Sequence, residues 1–136
     1  MPETLTFAKV YSYNTLEVGI TLTIKLFCGD VELEVDAKVD TGSSFCIFQR
    51  SYGEALGLDI ESGIRERFGT ATGGFWAFGH EITLEVLNIT TESTVFFIAE
   101  EGIERNVLGR TGWLDRVRLG LVDYEGKLFL SANDDE

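Results

Sequence analysis

Two alternating runs set back to back constrain this chain more than any other feature in it. Ile20, Leu22, Ile24 and Leu26 alternate with Thr21, Thr23 and Lys25, and after Gly29-Asp30 the alternation resumes as Val31, Leu33 and Val35. A period of two sends successive side chains to opposite faces, so each run reads as a half-buried strand and the Gly-Asp pair as the turn between them. This hairpin leads directly into Lys38-Val39-Asp40-Thr41-Gly42-Ser43-Ser44. Asp40 is therefore expected at the end of two paired strands.

The rest of the chain is punctuated in the same way. Its one proline is Pro2, and its fifteen glycines are spread among short apolar runs, the pattern of an all-β domain. Phe45-Cys46-Ile47-Phe48 and Val95-Phe96-Phe97-Ile98 read as buried strands. Arg65 to Glu85 reads as a long hairpin turning at Gly69-Thr70-Ala71-Thr72-Gly73-Gly74, and Val117 to Leu130 as a closing hairpin about Glu125-Gly126. Two short helices are expected. One runs from Arg50 to Leu58, where Tyr52, Ala55, Leu56 and Leu58 share a face and Ser51 is a candidate cap; the other, of two turns, spans Gly109 to Val117 and begins near Arg110 or Thr111. The expected architecture is a closed β-barrel with one or two short helices. No linker or repeat divides it, so residues 1–136 read as one domain. Residues 1–15 form an extension whose Leu5, Phe7, Val10 and Tyr11 either add a strand to a sheet shared between two subunits or stay disordered, and residues 131–136 form a tail ending in Asp134-Asp135-Glu136.

Composition narrows the partners. A chain of 136 residues with 44% apolar residues is long enough to bury a core without disulfides or metal. Its formal charge is −12, with Lys and Arg scattered, which disfavours nucleic acid and anionic membranes. Cys28 and Cys46 are too few for a disulfide framework and read as packed thiols. The N-terminal segment lacks a basic start and apolar core, and no apolar run reaches membrane-spanning length, so a cytoplasmic location is expected. The one histidine, His80, has no Cys or His at ligand spacing and reads as solvent-exposed; no metal or other cofactor is expected. A Ser-His-Asp triad would lack its nucleophile elbow, a Cys46 nucleophile has an apolar flank, and no Lys-Ser or Lys-Thr follows Gly73-Gly74 as a phosphate loop requires.

A chance Asp-Thr-Gly occurs in roughly one chain in thirty of this length at ordinary residue frequencies. What matters is the order of the pieces around it. A strand leads into Asp40-Thr41-Gly42-Ser43, then comes the glycine-rich hairpin, then Asn106-Val107-Leu108-Gly109-Arg110, and a strand Lys127-Leu128-Phe129-Leu130 closes the chain. From about Leu16 to Leu130 this resembles the retropepsin-like (retroviral-type) aspartic proteases. The resemblance implies the closed acid-protease barrel, with Asp40 catalytic, Thr41, Gly42 and Ser43 shaping its loop, and Thr70, Ala71, Thr72, Gly73 and Gly74 forming a flap over substrate. It implies that Val107, Leu108 and Gly109 pack behind the loop and that Thr41 bonds across to a partner's loop. Arg110 matches a family arginine that pairs with an Asp two residues beyond the catalytic Gly; here that position is Ser44, so Arg110 needs another acid or the dimer is weaker.

With one Asp-Thr-Gly per chain, the activity implied is that of a homodimeric aspartic endopeptidase acting on peptide or protein substrates. The alternative is a catalytically silent dimer that binds peptides or scaffolds; an unrelated β-barrel for apolar ligands is a third reading. Ser43 raises a specific expectation. A hydroxyl donating to a carboxylate stabilises its charged form, so a Ser43–Asp40 bond would shift the optimum to the acid side of Ala-bearing relatives. Phe75, Trp76 and Phe78 either line apolar subsites or belong to the core.

Overall fold

The computed structural model describes residues 2–134. Ten strands and one short helix follow in the order β1 (Lys9–Ser12), β2 (Thr21–Cys28), β3 (Val31–Val39), β4 (Ile47–Phe48), α1 (Arg50–Ala55), β5 (Ile64–Thr70), β6 (Gly73–Val86), β7 (Ile89–Ile98), β8 (Val107–Leu108), β9 (Val117–Val122) and β10 (Lys127–Ala132). The architecture is all-β.

The alternating runs form the expected hairpin, with Thr21 opposite Lys38 and Cys28 opposite Val31. From there the main sheet continues β2-β3-β8-β4-β7-β6-β5, and a further β2–β6 pairing, Lys25 to Glu85 through Phe27 to Thr83, closes six of the strands into a ring. Closure removes the free edges of those strands. The ring is filled by one face of each strand: Leu22, Ile24 and Leu26 from β2, Val35 and Ala37 from β3, and Ile82, Leu84 and Val86 from β6 are all buried. Trp113, 1% exposed, plugs the same core. A second cluster of Ile47, Phe75, Ala77, Phe96, Ile98 and Val107 lies on the other side of the sheet, with Phe45 and Phe68 packed on it.

The N-terminal extension adds a strand within its own chain. β1 pairs antiparallel with β10, which pairs with β9, giving a separate three-stranded sheet. Of the acidic tail, Asp135 and Glu136 lie outside the described residues.

Three local expectations need correction. Helix α1 stops at Ala55, and Ser51 does not cap it: Gln49 is the N-cap residue without a side-chain cap, and Ser51 Oγ accepts from Gln49 Nε2 at 2.7 Å. The two-turn helix over 109–117 is absent, and only a single 3₁₀ turn, Leu114–Arg116, forms. The segment is held extended at its start because Thr111 bridges in parallel to Phe45 and Gly112 sits at φ +108, outside helical space. His80 is half-buried, not exposed, with Nε2 2.9 Å from the Ile60 carbonyl oxygen and its ring against Phe97.

Candidate active site

Asp40 sits where β3 runs out beside β8. β3 and β8 are parallel, with Lys38 opposite Val107 and Val39 opposite Leu108, and the pairing continues one step as Asp40 N–H donates to the Leu108 carbonyl at 3.0 Å. On the other side Val39 N–H donates to the Ile20 carbonyl at 2.8 Å. The backbone immediately before and at the aspartate is thus clamped from both flanks.

After Asp40 the chain turns at once. The Gly42 N–H donates to Asp40 Oδ1 at 3.0 Å and the Ser43 N–H to the Asp40 carbonyl at 3.1 Å, an Asx-type turn that fixes the carboxylate with its own loop. A second segment braces this loop: Arg110 N–H donates to the Ser43 carbonyl at 2.9 Å and Thr111 N–H to the Ser44 carbonyl at 2.8 Å. Residues 108 to 111 therefore bond successively to 40, 43 and 44. Gly109 is needed there because a Cβ would run into the carbonyls of Phe45 and Ser43. Its N–H points at the buried Cys46 sulfur, 3.4 Å away, and burial pushes the Cys46 thiol up to about 11.

The Ser43 side chain is placed otherwise than expected. Its hydroxyl is buried and donates to the Phe45 carbonyl at 2.7 Å, not to Asp40. The loop turns Ser43 inward beneath the motif, so its hydroxyl closes the loop's own backbone and the basis for an acid-shifted optimum is removed. Thr41 is exposed, and among the described residues its hydroxyl makes no hydrogen bond. Arg110 is exposed as well, and among the described residues it is in no ion pair; the nearby Asp115 is engaged by the Gly112 N–H at 3.0 Å and by Arg116 at 2.7 Å. Thr41, Ser44, Arg110, Thr111, Leu114 and Asp115 together line an open depression of about 460 Å3.

The glycine-rich hairpin is β5 and β6 joined by Ala71-Thr72, with Thr70 opposite Gly73, and Thr70 through Gly74 are all exposed. Its base is tied by rings to Phe45, which follows the Asp40 loop. Phe68 stacks on Phe75 at 5.6 Å between centroids and meets Phe45 edge-on at 5.6 Å and Phe96 at 5.3 Å; Phe45 also meets Phe96 at 5.1 Å. Phe75 thus belongs to the cluster under this hairpin and Phe78 to the main core, whereas Trp76 remains 40% exposed beneath Arg65. Between hairpin and loop lies a cleft of about 320 Å3 whose walls include Gly42, Ser43, Phe45, Phe68, Phe75 and, bearing charge, Glu66, Arg67 and Arg105. Sequence reading did not single out Phe45, Phe68 or Arg105. The apolar run pointed to burial of Phe45, but nothing in the order of residues pairs it with Phe68.

A solved structure, EIAV protease complexed with the inhibitor HBY-793, matches with a TM-score of 0.55 at 18% identity, covering 74% of this chain and 88% of that one. The fold is that of a retroviral protease. At this identity the likeness is one of fold. No family model and no curated protein matches the chain. Within this retropepsin-like fold, the Asp-Thr-Gly loop, the exposed glycine hairpin and the cleft between them face one another across a single aromatic cluster.

Proposed function

We propose that the protein is a homodimeric aspartic endopeptidase in which Asp40 of each protomer supplies one carboxyl of a shared pair. The observation that carries this reading is the clamped Asp40-Thr41-Gly42 loop, which reaches the wall of the cleft at Gly42, with the carboxylate held by the Gly42 N–H and the backbone held by Leu108. One carboxyl activates a water; it cannot also protonate the carbonyl. Two carboxyls about 3 Å apart hold one proton between them and so serve as base and acid together. A two-fold axis beside Asp40 brings the second one.

In the proposed reaction the ionised carboxyl takes a proton from water as its oxygen attacks the scissile carbonyl carbon. The protonated carboxyl gives its proton to the carbonyl oxygen. Collapse of the tetrahedral intermediate returns a proton to the leaving nitrogen and breaks the C–N bond. The exposed Thr41 hydroxyl and the depression at Ser44 and Arg110 are the surfaces that meet the partner's loop, and Thr70 through Gly74 close over an extended peptide and exclude water. The two free cysteines agree with work in a reducing compartment such as the cytoplasm.

The test is cleavage of an unstructured peptide library between about pH 3 and 7 by wild type and Asp40→Asn, with and without a statine-type inhibitor, alongside sedimentation of both proteins. Cleavage by a dimer that disappears in the variant and with inhibitor supports the reading. A dimer that binds peptides and cleaves none at any pH would make the protein a binding module, and cleavage surviving in Asp40→Asn would remove Asp40 from the chemistry.

A further inference from the structure

Two cations line the cleft, Arg67 and Arg105, and among the described residues neither is in an ion pair. Arg67 and Phe68 are neighbours in β5 and so face opposite ways; the Arg67 guanidinium lies 5.4 Å from the Trp76 ring, on the side away from the Phe68 cluster. Glu66, on the Phe68 side, is exposed to solvent. Arg105 differs from both. It is half-buried, it lies just before β8 beside the aromatic wall, and among the described residues no carboxylate comes within ion-pair distance of it. Asp36 and Glu104 border the depression behind it without pairing with it.

We infer that Arg105 is a specificity-determining residue that selects peptides carrying a carboxylate side chain next to an apolar one at the cleavage site. This rests on the protease reading for the cleavage itself, but not for the recognition. A guanidinium that has lost part of its water and gained no partner is poised to take a carboxylate in two parallel charge-assisted bonds, which are stronger than an exposed ion pair. Glu66 has kept its water and gains less from a basic side chain. The aromatic wall of Phe45, Phe68 and Phe75 takes the adjoining apolar side chain.

The chain's overall charge of −12 opposes acidic peptides at long range. Those interactions are screened beyond roughly 8 Å at physiological salt, whereas a contact pair in a half-closed cleft is not. Raising salt is therefore expected to improve binding of acidic peptides by the chain up to the point where the contact itself weakens. In a symmetric dimer Arg105 occurs on both sides of the cleavage point, so the preference appears on both sides of the scissile bond.

The experiment compares matched peptides with Glu, Gln or Lys at the positions flanking an apolar pair. Cleavage is measured with wild type, and binding by fluorescence anisotropy with Asp40→Asn and with Asp40→Asn combined with each Arg105 variant. About a tenfold preference for Glu over Gln is expected, the size of a charge-assisted bond. Arg105→Gln abolishes it, Arg105→Lys retains part of it, and Arg105→Glu turns it towards Lys peptides. A Glu-to-Gln ratio that is the same with and without the Arg105 guanidinium overturns the inference, as does the absence of all peptide binding. Cleavage without acid preference overturns the role of Arg105 and leaves the protease reading standing. Acid-selective binding without cleavage does the reverse.

Discussion

Replacing Gly109 with Ala tests whether the loop that carries Asp40 is oriented by close backbone contact from behind. An added Cβ would clash first with the Phe45 carbonyl oxygen and would lie 2.7 Å from the Ser43 carbonyl oxygen, where ordinary contact begins at 3.4 Å, so the loop must retreat by at least about 3.4 minus 2.7, or 0.7 Å. That movement falls on the residues whose carbonyls accept from Arg110 at 2.9 Å and Thr111 at 2.8 Å, stretching both to about 3.5 Å, the limit of useful geometry. Two weakened bonds cost about 2 kcal/mol, and the overpacking strain that accompanies them brings the sum to about 3 kcal/mol. Because a displacement approaching 1 Å at a reacting group costs on the order of 100-fold, kcat/KM on a cleavable peptide should fall by that amount. Urea unfolding at fixed protomer concentration measures the first quantity and steady-state hydrolysis the second. Gly69→Ala is the control: nothing lies within 4 Å of its Cβ position, so stability should change by less than about 0.5 kcal/mol. If Gly109→Ala unfolds at the same urea concentration as wild type and hydrolyses peptide as fast, the brace from behind is not what positions Asp40.

Phe68→Ala removes the ring that joins the hairpin to the loop. Three ring contacts go with it, and since Phe68 is only half-buried the expected loss is about 2–3 kcal/mol in urea unfolding, below the range for a fully buried Phe. Glu61 receives two bonds from Arg50, at 2.6 and 2.8 Å, and this pairing holds its carboxyl below the ordinary 4.5. Its contribution to stability is therefore fully present above about pH 4.5 and lost as pH falls through the lowered folded value. Glu61→Gln should flatten the acid limb of a stability-versus-pH curve; an unchanged slope would remove the pair from that limb. Cys46, with its thiol raised by burial to about 11, should resist a thiol-specific reagent at pH 8 until urea unfolds the chain, and labelling of Cys46 at the rate of a free thiol in the folded protein would contradict its packing.

The barrel and the position of Asp40 were legible because they depend on local pattern. The alternation of β2 and β3 is a property of neighbours in sequence, and a strand pair that ends at Val39 puts Asp40 at its mouth whatever else the chain does. The flap-like hairpin was visible for the same reason, since its turn is written in glycine. What sequence did not reveal depends on contacts between distant residues. Leu114 and Val117 have helical spacing after Arg110, but Thr111 is bridged to Phe45 and Gly112 lies at positive φ, so only one 3₁₀ turn remains. The Ser43 hydroxyl had two acceptors within reach of a tight loop, the Asp40 carboxylate and the Phe45 carbonyl, and only the folded turn selects the second. Arg105 is one of eleven scattered cations in the sequence and becomes distinct only when β8 carries it to the cleft.

The same contacts explain why one part of the site is stiff and another free, which the proposed chemistry requires. Asp40 is reached by bonds from Ile20 through Val39, from Leu108 directly, and from residues 110 and 111 through Ser43 and Ser44, so moving its carboxylate means opening a closed ring of strands. The hairpin beyond Phe68 and Phe75 has only its own ladder, and its residues from Gly69 to Gly74 are exposed. The aromatic cluster is thus the boundary between the two. Below it, displacement costs core packing; above it, displacement costs little, because local stability follows buried apolar contact. Under the proposed function, a firmly held loop below and a loosely held hairpin above would admit an extended peptide without disturbing the carboxyl proposed to act on it. A lone protomer still has only one such carboxyl, and the proposed dimer would give the Thr41 hydroxyl and the Arg110 guanidinium contacts that none of the described residues of one protomer supplies.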